Sequence, residues 1–276
     1  MTVIEPRSRL AGLNVSELWA YRDLLSTLAQ RDVKLRYRQT AVGVVWVVLQ
    51  PILTSLIFSL VFGVLGHFKS DGQPYFVFAM AGNIGYTVFS STLTKANISL
   101  VQNSNLVSKI YFPRLILPLS TAYSSLIDFG VSMGVMAILM LIFHVVPTIA
   151  ILLLPFWVFL LLLMAIGIGL FTAALTVSYR DVQYITPVML QMLTYASPVG
   201  YSIANPPRDV PHLARLFWHF NPLTGLLEGV RWSLLGVKSP APSAFSVVYA
   251  VVVAMVLLIT GVVSFRNMER RFADVI

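Results

Sequence analysis

"IAILLLPFWVFLLLLMAIGIGLFTAALTVS", residues 149–178, contains no charged residue. A helix that crosses a bilayer needs about 20 consecutive, mostly apolar residues. This run exceeds that, so as a helix it tilts in the membrane or extends beyond it. Five more apolar runs lie around it, near 42–66, 75–94, 115–143, 183–203 and 244–265. Composition agrees. Hydrophobic residues make up 57% of the 276 residues and charged residues 11%, against roughly 25% charged in an ordinary soluble domain. Mean hydropathy is +0.81. The expected fold is an all-α integral membrane protein with six transmembrane helices and no sizeable soluble domain.

The chain has no cysteine, which excludes a disulfide framework and a thiolate metal site. Residues 1–40 carry seven Lys or Arg and no apolar stretch ending in a small-residue cleavage site, so they do not read as a signal peptide. One membrane domain is expected over 1–276. It comprises a cytoplasmic segment (1–40), five spans (42–203), an outer segment (204–243), a last span (244–265) and a cytoplasmic tail (266–276).

Charge orients the spans. With both termini inside, fourteen of the nineteen Lys and Arg fall on inner segments and five on outer ones, the bias expected of an N-in, C-in topology. The net charge of +8 then reads as a signal for topology and anionic membrane lipids. Nucleic-acid binding is not expected, because no basic soluble domain carries it.

Asn14 and Glu17 have capping-box spacing. Leu18, Tyr21, Leu25 and Leu28 follow on one helical face. With Trp19, they predict an amphipathic helix along the inner surface. "RDVKLRYRQT" (31–40) then brings Arg31, Lys34, Arg36 and Arg38 close together. These cations anchor the inner side. They also suit the diphosphate of a lipid-linked substrate, since Arg bonds phosphate bidentately and Lys acts as a point charge. Both roles can hold together.

Three spans carry polar stripes at helical spacing: Trp46, Gln50 and Thr54 in the first; Asn83, Thr87, Ser90, Thr94 and Asn97 in the second; Tyr184, Gln191, Tyr195 and Ser202 in the fifth. Ser and Thr are common packing groups in membrane helices. Tyr and Gln are larger and must place their polar atoms, and with aromatic rings they suit a sugar. Pro187 and Pro198 are expected to bend the fifth span and free backbone carbonyls. Asp128 lies near the middle of the third span among Ser124, Ser125 and Ser132. An acid there needs a partner or water. Neighbouring hydroxyls, a salt bridge to Arg231, or a proton-coupled role would each supply one. Gly130 and Gly134 form a GxxxG, a pattern that favours close helix packing.

The outer segment, 204–243, is expected to fold as two short helices broken at Asn221-Pro222. The second carries Leu223, Leu226, Leu227, Val230 and Leu234 on one face. Such a pair can dip into the outer leaflet if protein covers its breaks. Glu228 and Arg231 are spaced for an intrahelical pair. His212 and His219 lack a third ligand, so no metal site is expected.

No stretch reads GxxxxGK[ST], so this chain is not expected to bind ATP, and no cofactor is assigned to it. With Asp128 the one clear intramembrane acid, a separate ATPase is favoured over an ion gradient as the energy source. "NSNLVSKIYFPRLILPL" (103–119) interrupts the apolar sequence between the second and third spans. A short helix there offers a cytoplasmic partner a surface to push on: Leu106, Lys109, Ile110, Tyr111 and Phe112, with Pro113 ending it and Arg114 anchoring the next span.

"RDVKLRYRQTAVGVVWVVLQP" (31–51), "NLVSKIYFPRLILPL" (105–119), "SYRDVQYITPVMLQMLTYASPVGY" (178–201), "NPLTGLLEGVRWSLLG" (221–236) and "FADVI" (272–276) together resemble type-2 ABC permeases that export lipid-linked polysaccharides, among them the O-antigen and teichoic-acid exporters. The resemblance spans nearly the whole chain. It implies a homodimer paired with two copies of a cytoplasmic ABC ATPase that binds ATP and Mg. It also implies an undecaprenyl-diphosphate-linked glycan as substrate and a place in the bacterial inner membrane. The family's interface helix would map onto 15–30, its coupling helix onto 99–112 and its outer re-entrant helices onto 212–235. The diphosphate would meet Lys34, Arg36 and Arg38. The glycan would pass Trp46, Gln50, Thr54, Tyr184, Gln191, Tyr195 and Tyr201, with Trp46, Tyr195 and Tyr201 as the aromatic belt. Competing expectations are a type-2 ABC exporter of a drug or small lipid, an ion-coupled transporter that depends on Asp128, and a membrane scaffold.

Overall fold

The computed structural model of the chain describes residues 19–38, 43–204, 212–236, 239–269 and 272. Among them all regular structure is helical. Helix α1 spans Arg22–Arg38 and α2 spans Gly43–Phe58, continued by a π-helical stretch, Ser59–Leu65. Then come α3 (Tyr75–Gln102), α4 (Ser104–Lys109) and α5 (Ile116–Ile142). A 3₁₀ turn at Ile149–Leu153 leads into α6 (Leu154–Ser178). The chain closes with α7 (Val182–Ala196), α8 (His212–Phe220), α9 (Pro222–Leu235) and α10 (Ala244–Glu269). The expected capping box at Asn14 lies outside the described residues.

Five helices are long and apolar enough to cross a membrane: Val45–Leu65, Tyr75–Gln102, Ile116–Ile142, Ile149–Ser178 and Ala244–Glu269. The fifth expected span, 183–203, is helical only as α7, which has 15 residues. Proline disfavours the helical conformation of the residue before it. Ser197, which precedes Pro198, is extended accordingly. The segment nevertheless runs the length of α3, antiparallel to it. Asn97 Nδ2 donates to Val182 O at 3.5 Å, the Tyr86 hydroxyl donates to Leu190 O, and the Tyr75 hydroxyl donates to Gly200 O at 2.8 Å. The stretch of α3 from Tyr75 to Asn97 rises about 33 Å, close to the roughly 30 Å of a bilayer's hydrocarbon.

The second span does not stop at 94. With no Gly or Pro between Tyr86 and Pro113, α3 continues to Gln102. Asn103 closes it, donating from Nδ2 to Ser99 O at 2.8 Å. The expected coupling helix over 99–112 is therefore reduced to α4.

α6 is the centre of the packing, with α3 on one side and α10 on the other. At the α6–α10 crossing, a Cβ on Gly261 would stand 2.0 Å from Gly167 O, so these backbones touch. A Cβ on Gly169 would meet Ala96 of α3 at 2.6 Å. The GxxxG at Gly130 and Gly134 does not pack: nothing lies within 4 Å of either added Cβ. Their face of α5 is turned away from the other described helices, and close approach is carried by glycines outside that motif.

Two apolar clusters result. The larger lies toward the α9 end, with Phe78, Phe89, Leu161, Met164, Leu227 and Val230 among its buried side chains. The smaller lies at the α1 end and joins Leu28, Leu100, Val107, Phe112, Ile116, Phe265 and Phe272. The apolar face of α1 (Tyr21, Leu25, Leu28) packs on this second cluster, while Trp19 is exposed.

α9 is buried on nearly all sides, and its Leu223, Leu226, Leu227, Val230 and Leu234 are enclosed. The Asn221 side chain caps it, accepting from Leu223 N at 3.0 Å. It sits beside Gly82 and Gly85 of α3, roughly 10–15 Å along that helix from its Tyr75 end.

Candidate functional site

The stripe on α2 and the stripe on α3 face one another across a cavity of about 710 Å³. Trp46, Gln50 and Thr54 line one wall, and Asn83, Thr87 and Ser90 another; α5 adds Asp128 and Ser132, and α7 adds Thr194. Alternation of apolar and hydroxyl residues at helical spacing brings this about, because each helix turns its polar stripe inward. The two remaining α3 positions, Thr94 and Asn97, do not border it. Asn97 is buried and accepts from Thr176 Oγ1 of α6 at 2.6 Å.

The other channel candidates lie elsewhere. Tyr184 is 70% exposed, Tyr195 is 57% exposed, and Gln191 is exposed with them. They share one outward face of α7 with Ile185, Met189 and Met192. Tyr201 is 3% exposed. Its ring lies 5.4, 5.5 and 5.3 Å from those of Phe62, Phe68 and Trp218, and its hydroxyl donates to Tyr195 O at 3.2 Å. Trp46 thus borders the cavity, whereas Tyr195 and Tyr201 are joined by that hydrogen bond and by ring contacts through Phe58 and Phe62. The aromatic cluster escaped the sequence reading, because its rings come from segments distant along the chain.

Asp128 is paired. Lys95 Nζ donates to Asp128 Oδ2 at 2.8 Å, with the two side chains 18% and 13% exposed. The Ser124 and Ser125 hydroxyls lie 3.4 and 3.3 Å from the same ammonium. Ser132 bonds the Asp128 backbone carbonyl instead. The alternative partner Arg231 is wrong. It is buried at the opposite end of the bundle, where it donates from Nη2 to Pro198 O (2.7 Å) and Val199 O (3.0 Å) and from Nη1 to Tyr201 O (3.4 Å). It makes these bonds rather than one to Glu228, because Pro198 and the extended chain after it leave those carbonyls without helical partners. Lys95 stands one residue beyond the expected second span, 75–94, and lies within α3.

A second cavity, of about 300 Å³, lies on the α1 side of this ion pair. Asp128 borders both cavities, whereas Lys95, Arg31 and Asp32 border only the second. Arg31 Nη2 donates to Asp32 Oδ1 at 2.9 Å and to Asn103 Oδ1 at 2.7 Å. Lys34 is exposed on α1. Arg36 and Arg38 belong to the same helix, and their side chains lie outside the described residues.

The elbow between α3 and α5 divides its side chains. Phe112 is 7% exposed and packs, with Val107 and the half-buried Leu106, on the cluster at the α1 end. Ile110 and Tyr111 are 56% and 83% exposed, and Lys109 is exposed with them. Arg114 secures the elbow to the end of α10. Its Nη1 donates to Glu269 O at 2.7 Å, and its guanidinium lies 5.7 Å from the centre of the Phe272 ring.

A helical bundle with a polar cavity between spans suits passage of a polar solute, and comparison with known proteins agrees. The profile of the family described as "ABC-2 type transporter" matches residues 23–235. The chain belongs to the ABC-2 type transporter family. This ABC-2 permease is similar over nearly its whole length to proteins of known role. It is 28% identical over 260 residues to the "O-antigen export system permease protein RfbA" of Myxococcus xanthus, covering 94% of this chain and 98% of that one. It is 23% identical to a Klebsiella pneumoniae protein of the same description, covering 92% and 95%. It is 24% identical to the "Polysialic acid transport protein KpsM" of Escherichia coli, covering 89% and 93%. The permease is a multi-pass membrane protein and a transport subunit.

Proposed function

We propose that this permease is the membrane subunit of an ATP-driven exporter that moves lipid-linked polysaccharide, of the O-antigen kind, from the cytoplasm across the bacterial inner membrane. The observation that carries the reading is the 710 Å³ cavity. Its wall combines an indole ring with amide and hydroxyl groups, the mixture that suits the apolar faces and polar edges of sugars. The full-length likeness to relatives named for O-antigen and polysialic acid transport supports the same substrate class.

Both termini lie in the cytoplasm, and the fifth of six crossings is α7 with its extended tail. The depth of α9 along α3 supports a re-entrant α8–α9 pair entering from outside. Two protomers associate, and the exposed apolar faces of α2 and α7 suit a seam between them. Each permease meets an ABC ATPase, which carries ATP and Mg, at the outward face of the elbow. The diphosphate of the carrier lipid first meets the cationic stretch of α1 at Lys34, Arg36 and Arg38.

Co-purification tests the reading. The tagged chain is isolated in mild detergent from cells that also express its genomic neighbours, and the eluate is assayed for ATPase activity. A stoichiometric P-loop protein with activity is expected. An eluate without ATPase, from cells in which the neighbour is made, would favour ion coupling and turn attention to Asp128.

A further inference from the structure

The Lys95–Asp128 pair lies where the two cavities adjoin. A buried ion pair is a weak source of stability, because desolvation offsets its attraction. Its placement is uneven: Asp128 borders both cavities and Lys95 only the smaller one. If the carboxylate leaves Lys95, it still faces the larger cavity, beside the hydroxyl of Ser132. Lys95 then keeps its ammonium at the wall of the smaller cavity, still donating to the hydroxyl oxygens of Ser124 and Ser125. Arg31 stands at the same cavity's wall with its fork already oriented by Asp32 and Asn103. A volume of about 300 Å³ is at the small end for a ligand site.

We infer that the smaller cavity is a phosphate site, in which a phosphate oxyanion replaces the Asp128 carboxylate on Lys95. The inference rests on the lipid-diphosphate reading above and names its subsite. Exchange explains why the cation is paired before the ligand arrives. A lone buried ammonium would be costly, and pairing with Asp128 offsets that cost. A phosphate brings more negative charge and more acceptor oxygens than a carboxylate, and so can displace it. The same carboxylate, tethered within reach, takes Lys95 back when the phosphate moves on. The site therefore binds without becoming a trap.

The test uses the full-length chain in phosphatidylcholine nanodiscs with labelled farnesyl diphosphate as probe and farnesol as its uncharged control. K95Q is expected to weaken binding of the diphosphate at least tenfold, about the worth of one charge-assisted hydrogen bond, while K95R retains it. D128N, which removes the competitor, is expected to tighten binding by about the same factor. A purely structural pair predicts the reverse sign or no change for D128N, and either result overturns the exchange. Should K95Q fail to fold, K95Q/D128N, which leaves no lone charge, is the variant expected to fold and bind weakly. Tight binding by the double variant would overturn the assignment. Wild-type binding unaffected by loss of Lys95 removes the inference alone. Wild-type protein that binds the diphosphate no better than farnesol removes the lipid-diphosphate reading and the inference with it. Adding phosphatidylglycerol to the nanodiscs separates the sources of phosphate. Lys95-dependent binding that persists assigns the site to the diphosphate, and competition by phosphatidylglycerol assigns it to a phospholipid headgroup.

Discussion

Arg231 ties three carbonyls of the chain after α7 to the buried helix α9, with its guanidinium 4.0 Å from the centre of the Phe78 ring. A lysine keeps the charge but lacks the planar fork that reaches several acceptors together. Arg231→Lys is expected to cost about 2–4 kcal/mol through unsatisfied buried carbonyls. Thermal unfolding in detergent measures this, and an unchanged melting temperature would refute the role. The glycines supply a paired comparison. A methyl on Gly261 would collide with Gly167 O at 2.0 Å, so Gly261→Ala is expected to force α6 and α10 apart at a cost of about 1–3 kcal/mol. Gly130→Ala meets nothing within 4 Å and gains helix propensity of up to about 1 kcal/mol, so it is expected to melt at or above the wild-type temperature. Equal destabilisation by both would contradict the packing described.

The elbow is where an element's structure bears most on mechanism. Its inward residues, Val107 and Phe112, belong to the cluster that includes Phe265 and Phe272, so force on the elbow reaches both α5 and the end of α10. Its outward residues, Ile110 and Tyr111, are exposed among the described residues. Ile110→Asp with Tyr111→Asp is expected to leave folding and membrane insertion intact and to abolish transport-coupled ATPase activity. Size-exclusion profiles and ATPase assays of the complex check both halves, and full coupling in the double variant would remove the elbow from the mechanism. Phe112→Ala should behave oppositely, with folded yield falling because the cavity left behind costs about 3–5 kcal/mol. Residues adjacent in sequence thus separate into outward-facing and buried positions. Sequence spacing did not reveal this, because the extended backbone at Ile110 changes the direction in which side chains point.

For the whole molecule, the absence of cysteine makes topology directly measurable. A single cysteine at Asn105, exposed on α4, is expected to resist a membrane-impermeant maleimide applied to intact cells and to react after lysis. A cysteine at Ala241, exposed before α10, is expected to react in intact cells. The reverse pattern would invert the proposed orientation and move the elbow away from any cytoplasmic ATPase.

Hydropathy was enough to place four spans within a few residues and the start of another, because burial of apolar length in a bilayer is a local property of the chain. The polar stripes of α2 and α3 were legible for the same reason: helical period follows from spacing alone. The broken α8–α9 pair was marked by Asn221-Pro222. What the residues could not disclose was how helices far apart in the chain face one another. Asp128 was visible as an acid needing a partner, yet Lys95 stood one residue past the expected second span and Arg231 in the outer segment, and only helix depth and rotation distinguish them. The glycines that touch, Gly167 and Gly261, form no motif along the chain; they meet because α6 and α10 cross there. The helical reach of α7 ended at a proline that the sequence displays, but the chain's continued course along α3 depends on hydrogen bonds from Tyr75 and Arg231. Local chemistry determines which segments enter the membrane, whereas long-range packing determines which polar groups become partners within it.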